Sequence, residues 1–323
     1  MSRAPIPDNL CGVPGVLVGH AADYEGLTGC TVVRFDRPAV VAVEVRGSSP
    51  GTRETDRLAP LGIVRDTHAI LLTGGSAFGL AAADGVVRFL EEREIGLDIG
   101  VARIPLVSAA VIFDLMFGSP DVRPDAEMGY GAAAAANSGD FEQGSVGAGT
   151  GATVGKMLGL ENAMKGGVGS AAVQLEGGLV VAALAVVNAV GDVRDERGAI
   201  LAGPRGEDGE LRDSLDLIPR AADRMRWGQN TTLGVVATNA RLTKPEATKV
   251  AQMAHDGLAR AVYPVHTSVD GDTVFAAAVG AVETAPDVVG AWGASMMQES
   301  ILRAVRTAEG IPGVPAYADR ARP

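Results

Sequence analysis

Thr231 opens an apolar run, Thr232-Leu233-Gly234-Val235-Val236-Ala237, and follows Gly228-Gln229-Asn230. A threonine in that place is ordinarily a β-branched residue at the head of a buried strand. It gains a second use if the bond before it is cut. A free α-amino group titrates at about 7.7–8.0, so part of it is neutral at physiological pH and fit for general-base work. Base and nucleophile would then sit on one residue, and β-branching would limit the directions open to Oγ1. The same hydroxyl can first attack the carbonyl of Asn230. An N-to-O acyl shift followed by hydrolysis would separate residues 1–230 from 231–323 and free the amine.

Amide hydrolysis also needs groups that move protons and steady an oxyanion. Two carboxylates, Asp270 and Asp272, flank Gly271 just before the apolar run Thr273-Val274-Phe275. The pair reads either as an acidic turn or as groups that hold and polarise the amine and hydroxyl of Thr231. A calcium loop is excluded, because its acidic spacing and distant Glu are missing. Lys156 is a cation in a Gly-rich stretch with few other charges, and Asn188 ends the apolar run from Val180. A buried amide must be hydrogen-bonded, so Asn188 is either a structural link or an oxyanion donor.

Other chemistries fail on spacing. Gly147 to Met157 superficially suggests a phosphate loop, but Thr150 and Met157 stand where Gly and Ser or Thr are required. A dinucleotide GxGxxG starting at Gly147 ends on Ala152, and a nucleophile elbow at Ser76 would need Gly in place of Phe78. His20, His68, His255 and His266 form no pair with metal-ligand spacing, and Cys11 and Cys30 form no CxxC. No metal and no cofactor is called for. The net charge of −11 argues against nucleic acid and anionic membranes as partners and is compatible with a small substrate carrying an amine. No apolar run approaches the roughly 20 residues that span a bilayer. The N-terminus lacks the apolar stretch of a signal peptide, so the expected setting is cytoplasmic, with both cysteines reduced.

The positioning elements follow from pattern. Hydrophobic residues make up 47% of the chain and aromatics only 4%, so the core must be built from Ala, Val, Leu and Gly. Strands are expected at 39–45, 68–73, 231–238 and 273–279, with a hairpin of 168–175 and 179–190 around Gly177-Gly178. Helices are expected from Ala77 to Glu92 behind a Ser76 cap, from Thr243 to Ala261, and over 287–308. Thr243-Lys244-Pro245-Glu246 has the form of a capping box. Residues 123–165 carry no clear pattern, and 196–228 read as an exposed loop or linker.

Taken together, these segments resemble the family of L-aminopeptidase/D-esterases, β-peptidyl aminopeptidases and 6-aminohexanoate-oligomer hydrolases. The resemblance runs through Arg46 to Glu54, Leu72 to Leu80, Ser108 to Asp114, Gly151 to Lys156, Asn188, Gly228 to Asn239 and Pro264 to Phe275. It implies one α/β catalytic domain, a four-layer α-β-β-α sandwich similar to N-terminal-nucleophile hydrolases. It also implies self-cleavage at Asn230-Thr231 and a homotetramer of cleaved heterodimers. By position it makes Thr231 the nucleophile, Asn188 an oxyanion or substrate-binding residue, and Lys156, Asp270 and Asp272 active-site groups of the nylon-oligomer branch. The substrate would be a small peptide or amide. One residue departs: Phe113 stands where characterised members carry a substrate- or oxyanion-holding Tyr. Two other readings stay open, acyl transfer of the ornithine acetyltransferase kind and an uncleaved small-molecule-binding scaffold.

Overall fold

Val, Leu and Ala dominate the strands, and the longest strand runs well beyond its apolar segment. A computed structural model describes residues 6–221 and 230–320; Gly228 and Gln229 of the strand-start motif, and the first five residues, lie outside them. Nine strands form one sheet: β1 (Val16–Asp23), β2 (Thr28–Val45), β3 (Thr52–Arg53), β4 (Asp66–Thr73), β5 (Val107–Val111), β6 (Gly167–Gln174), β7 (Val180–Asn188), β8 (Thr231–Ala240) and β9 (Thr273–Val282). Their order is β6-β7-β8-β9-β2-β4-β5-β3, with β1 also paired to β2. β8 runs antiparallel to β7 and parallel to β9.

β2 joins the two halves of this sheet. Val40–Val45 pair with β9, and Cys30–Arg34 pair with β4. Between them the register slips from Arg34 to Ala39, across Pro38, which has no N–H to give a ladder. The halves then face each other. Leu184, Val235 and Phe275 from one and Val33, Ile70 and Ile112 from the other share a single buried cluster. Outside, α4 (Lys244–Ala261) and α5 (Pro286–Arg306) cover the first half, where Val250 and Ile301 pack with Val181 and Val236. α1 (Ala82–Glu91) and α2 (Ala126–Ala135) cover the second, where Phe89 and Ala132 pack with Val32 and Leu71. The four layers are α-β-β-α, as the resemblance implied.

Local signals with a clear mechanism hold. The hairpin turns at Gly177-Gly178. At α4 the Glu246 carboxylate accepts from Thr243 N–H at 2.7 Å while Thr243 Oγ1 accepts from Glu246 N–H at 3.4 Å, a box worth about 1 kcal/mol. Other expectations need correction. Ser76 is no cap: it sits inside a 3-10 turn at φ +53°, and the α-helix begins only at Ala82. β1 and the first half of β2 carry no strong sequence signal. α2 arises in the unassigned stretch, capped by Asp125 accepting from Met128 N–H at 2.9 Å. The stretch expected to be a linker contains a strand at Ile200–Ala202 and α3 (Ser214–Ala221); its last residues are not described. Cys11 and Cys30 are buried and free. Among the described residues no helix is long and apolar enough to cross a membrane.

Candidate active site

Four segments meet at one end of the sandwich: the end of β7, the start of β8, the turn before β9 and the loop after β2. Asn188 is the register partner of Thr231, and Asn230 bridges to Asp270. Side chains alternate along strands, so Asn188 and Thr231 project to the same face as Leu184, Val186 and Leu233, between the sheets. Asn188, Asn230, Thr231, Asp270 and Asp272 are each at most 4% exposed. The structure therefore brings together every polar residue singled out on these strands.

The carbonyl of Asn230 is the centre of the arrangement. It accepts from Gly271 N–H at 2.9 Å and from the hydroxyl of Thr231. Two donors on one carbonyl oxygen draw electron density from its carbon. Gly271 must be glycine here, because a Cβ would lie 2.7 Å from Thr231 Oγ1 and 2.7 Å from the Ser49 carbonyl. Gly47 is equally constrained, since its Cβ would lie 2.3 Å from Asp272 N. This close approach lets Arg46 and Gly47 donate their N–H groups to the Asp272 carbonyl at 3.0 and 3.3 Å, and Ser49 to that of Asp270 at 2.9 Å. The loop after β2 thus clamps the turn that presents Gly271.

The carboxylates hold the backbone around Thr231. Asp272 accepts from Thr232 N–H at 2.7 Å through Oδ1, and from His266 through Oδ2. Asp270 accepts from the Thr267 hydroxyl and, at 3.4 Å, from Val190 N–H. Among the described contacts neither carboxylate meets the Thr231 hydroxyl, which is committed to Asn230. Burial raises the Asp270 carboxyl well above the ordinary range, and the neighbouring charge of Asp272 adds to the shift.

Lys156 and Asn188 form the second half of the site. Lys156, half-buried, donates to the Asn188 side-chain oxygen at 2.8 Å and to its backbone carbonyl at 2.9 Å. Desolvation lowers its ammonium to about 7, against the pull of Asp270 and Asp114. Asn188 Oδ1 also accepts from Thr153 N–H at 3.0 Å, and Nδ2 donates to the carbonyl of Phe113 at 3.0 Å. Asn188 is thus a structural link in this structure. What Phe113 brings to it is a backbone carbonyl.

Lys156 is not the only cation of the Gly-rich region. Lys165, fully buried, holds the carbonyls of Thr150 and Ala152 at 2.6 and 3.0 Å. Burial lowers it to about 7, with Asp114 opposing. Asp114 accepts from Gly75 N–H and from the Thr28 hydroxyl, both at 2.7 Å. The sequence clue to Lys165 was a lysine among Gly and Ala with no adjacent carboxylate, which only the long-range contacts explain. Gly271 was legible merely as a spacer between two acids.

The model of peptidase family S58 matches residues 8–317. An uncharacterized aminopeptidase of Mycobacterium tuberculosis is 40% identical, covering 97% of this chain and 97% of its own. A 6-aminohexanoate-oligomer endohydrolase of Kocuria sp. is 35% identical, covering 81% of this chain and 72% of its own. Among solved structures, the L-aminopeptidase D-Ala-esterase/amidase of Ochrobactrum anthropi, a variant of the Ntn-hydrolase fold, superposes with a TM-score of 0.71 at 18% identity, over 98% of this chain and 92% of its own. With a family model spanning nearly the whole sequence and so similar a full-length relative, the chain belongs to peptidase family S58 and is a hydrolase of peptide or amide bonds.

Proposed function

We propose that the chain cuts itself between Asn230 and Thr231 and that the freed Thr231 is the nucleophile of a hydrolase acting on small peptides or ω-amino-acid oligomers. The observation that carries this reading is the Asn230 carbonyl, buried and in contact with both the Thr231 hydroxyl and Gly271 N–H. In the self-cleavage step Oγ1 bonds to the Asn230 carbonyl carbon, the C–N bond breaks, and the proton lost by the hydroxyl ends on the new amine. Water then hydrolyses the ester and leaves a carboxyl on Asn230.

In turnover the same oxygen attacks the substrate amide. The leaving amine takes a proton, and water activated by the Thr231 amine releases the acid from the acyl-enzyme. Asn188 Nδ2 becomes an oxyanion donor once it exchanges the Phe113 carbonyl for the substrate. Lys156, brought near neutrality, and Asp270, with a raised carboxyl, are suited to proton transfer at physiological pH. Asp272 fixes the strand start.

The relatives named aminopeptidase and oligomer endohydrolase define the substrate range to be searched. The net charge of −11 is compatible with substrates that carry a free amine, and release of N-terminal residues is the second reading. The family resemblance extends the proposal to one catalytic domain, a cytoplasmic setting and a homotetramer of cleaved heterodimers. Mass spectrometry of purified protein is expected to find residues 1–230 and 231–323 as separate chains. Aminoacyl anilides, β-peptides and 6-aminohexanoate oligomers then rank the substrates. Wild type that stays intact yet hydrolyses amides sinks the mechanism.

A further inference from the structure

His266 lies four residues before Asp270, with its backbone at φ +56°. Its N–H and its ring Nδ1 both meet Asp272 Oδ2, at 3.0 and 2.8 Å. A carboxylate only accepts, so Nδ1 carries the proton. The other oxygen, Oδ1, takes Thr232 N–H at 2.7 Å. Asp272 is therefore a bridge with His266 on one side and the peptide joining Thr231 to Thr232 on the other.

The imidazole is itself held. The ring of His255, from α4, packs edge-on against it with centroids 4.7 Å apart. His255 Nε2 lies 3.0 Å from the Glu44 carbonyl, so it donates there and ties the pair to β2. The turn itself does not need this ring. Arg46, Gly47 and Ser49 clamp its backbone, and Gly271 N–H is fixed on Asn230. What the ring adds is a second hydrogen bond on Asp272 Oδ2, beside the His266 N–H, which holds the carboxylate plane with Oδ1 on Thr232.

We infer that His266 is a positioning residue for this site: by pinning the Asp272 carboxylate it sets the plane of the Thr231–Thr232 peptide, and so the direction of the Thr231 hydroxyl and amine. This rests on Thr231 being the nucleophile. Geometry of this kind acts on the reacting atoms without touching them.

Two substitutions separate the hydrogen bond from the backbone. His266→Asn places an amide nitrogen where Nδ1 stood, and Asn tolerates positive φ. His266→Gly also accepts the backbone and keeps its own N–H on the carboxylate, but has no side-chain donor. His266→Asn is expected to keep self-cleavage and kcat within about threefold of wild type. His266→Gly is expected to slow both by roughly ten- to a hundredfold, the effect of losing a hydrogen bond to a charged group, with KM little changed. Rates are compared per folded protein, with thermal unfolding as the control. Equal rates in the two variants, fast or slow, overturn the inference. Thr231→Ala runs beside them: an active Thr231→Ala overturns the nucleophile assignment, whereas an inactive one with equal His266 variants overturns only the role of His266.

Discussion

The two ends of β8 carry similar residues and treat them differently. At the far end Asn239 accepts from Val180 N–H at 2.8 Å and donates to the Gly178 carbonyl at 2.9 Å. Its amide closes the β6–β7 hairpin beside an open cleft of about 620 Å³ lined by Gly15, Arg37 and Val282. At the near end the chain is enclosed, and polar atoms crowd together without full satisfaction. The buried Asn230 Oδ1, Thr232 Oγ1 and His266 Nε2 have no hydrogen-bond partner among the described residues. The open cleft and the crowded polar atoms thus lie at opposite ends of one strand. At the far end both polar atoms of the Asn239 amide are bonded, while near Thr231 three buried polar atoms find no partner among the described residues, a local irregularity of the kind found at functional sites.

The largest expected effect sharpens this contrast at Thr231. Thr231→Ala should give one uncut chain, with hydrolysis down by roughly four orders of magnitude or more, read by denaturing gel and initial rates. Next comes Asn188→Ala, which removes an amide on the same face. A fall in kcat of roughly 10²–10³ is expected, and a change confined to KM would assign it to binding alone. The mirror experiment is Asn239→Ala. It should lower stability by about 1–3 kcal/mol in urea unfolding and leave kcat per folded protein intact. If it matches Asn188→Ala in activity, the two ends do not differ as described.

The most gradual effect concerns pH. Folded Lys165 titrates near 7 against 10.5 for an ordinary lysine. Between those values the unfolded chain binds more protons, so stability climbs with pH and the burden of the buried charge is greatest below 7. Lys165→Met should make that climb shallower in unfolding curves taken from pH 7 to 10.

Legibility followed the range of the interaction. The capping box at Thr243, the Gly177-Gly178 turn and the strand from Thr231 depend on neighbours within a few residues, and they could be read. β1 and the start of β2 mix Gly, Thr and His with apolar residues, so their strand character comes from pairing partners. α2 is Gly- and Ala-rich and owes its place to packing on the sheet. Ser76 had the right residue type for a cap but follows a left-handed Gly75, which redirects the chain. At the site, the residue types of Asp270, Asp272, Lys156 and Asn188 stood out. Their partners did not, because Gly271 with Asn230, or His266 with Asp272, are relations of geometry.

The place of β8 in the sheet has one further consequence. β8 lies between β7 and β9, and β9 pairs in turn with β2. Under the proposed cut, the two products would be woven through a common sheet, each supplying strands the other needs on its flanks. Scission would not release a piece. Refolding after denaturation, however, would become an encounter between two molecules, dependent on concentration and no longer guided by a connecting chain. The mature protein would then owe its lifetime to slow unfolding and little to recovery, so that maturation is a one-way step in folding as well as in chemistry.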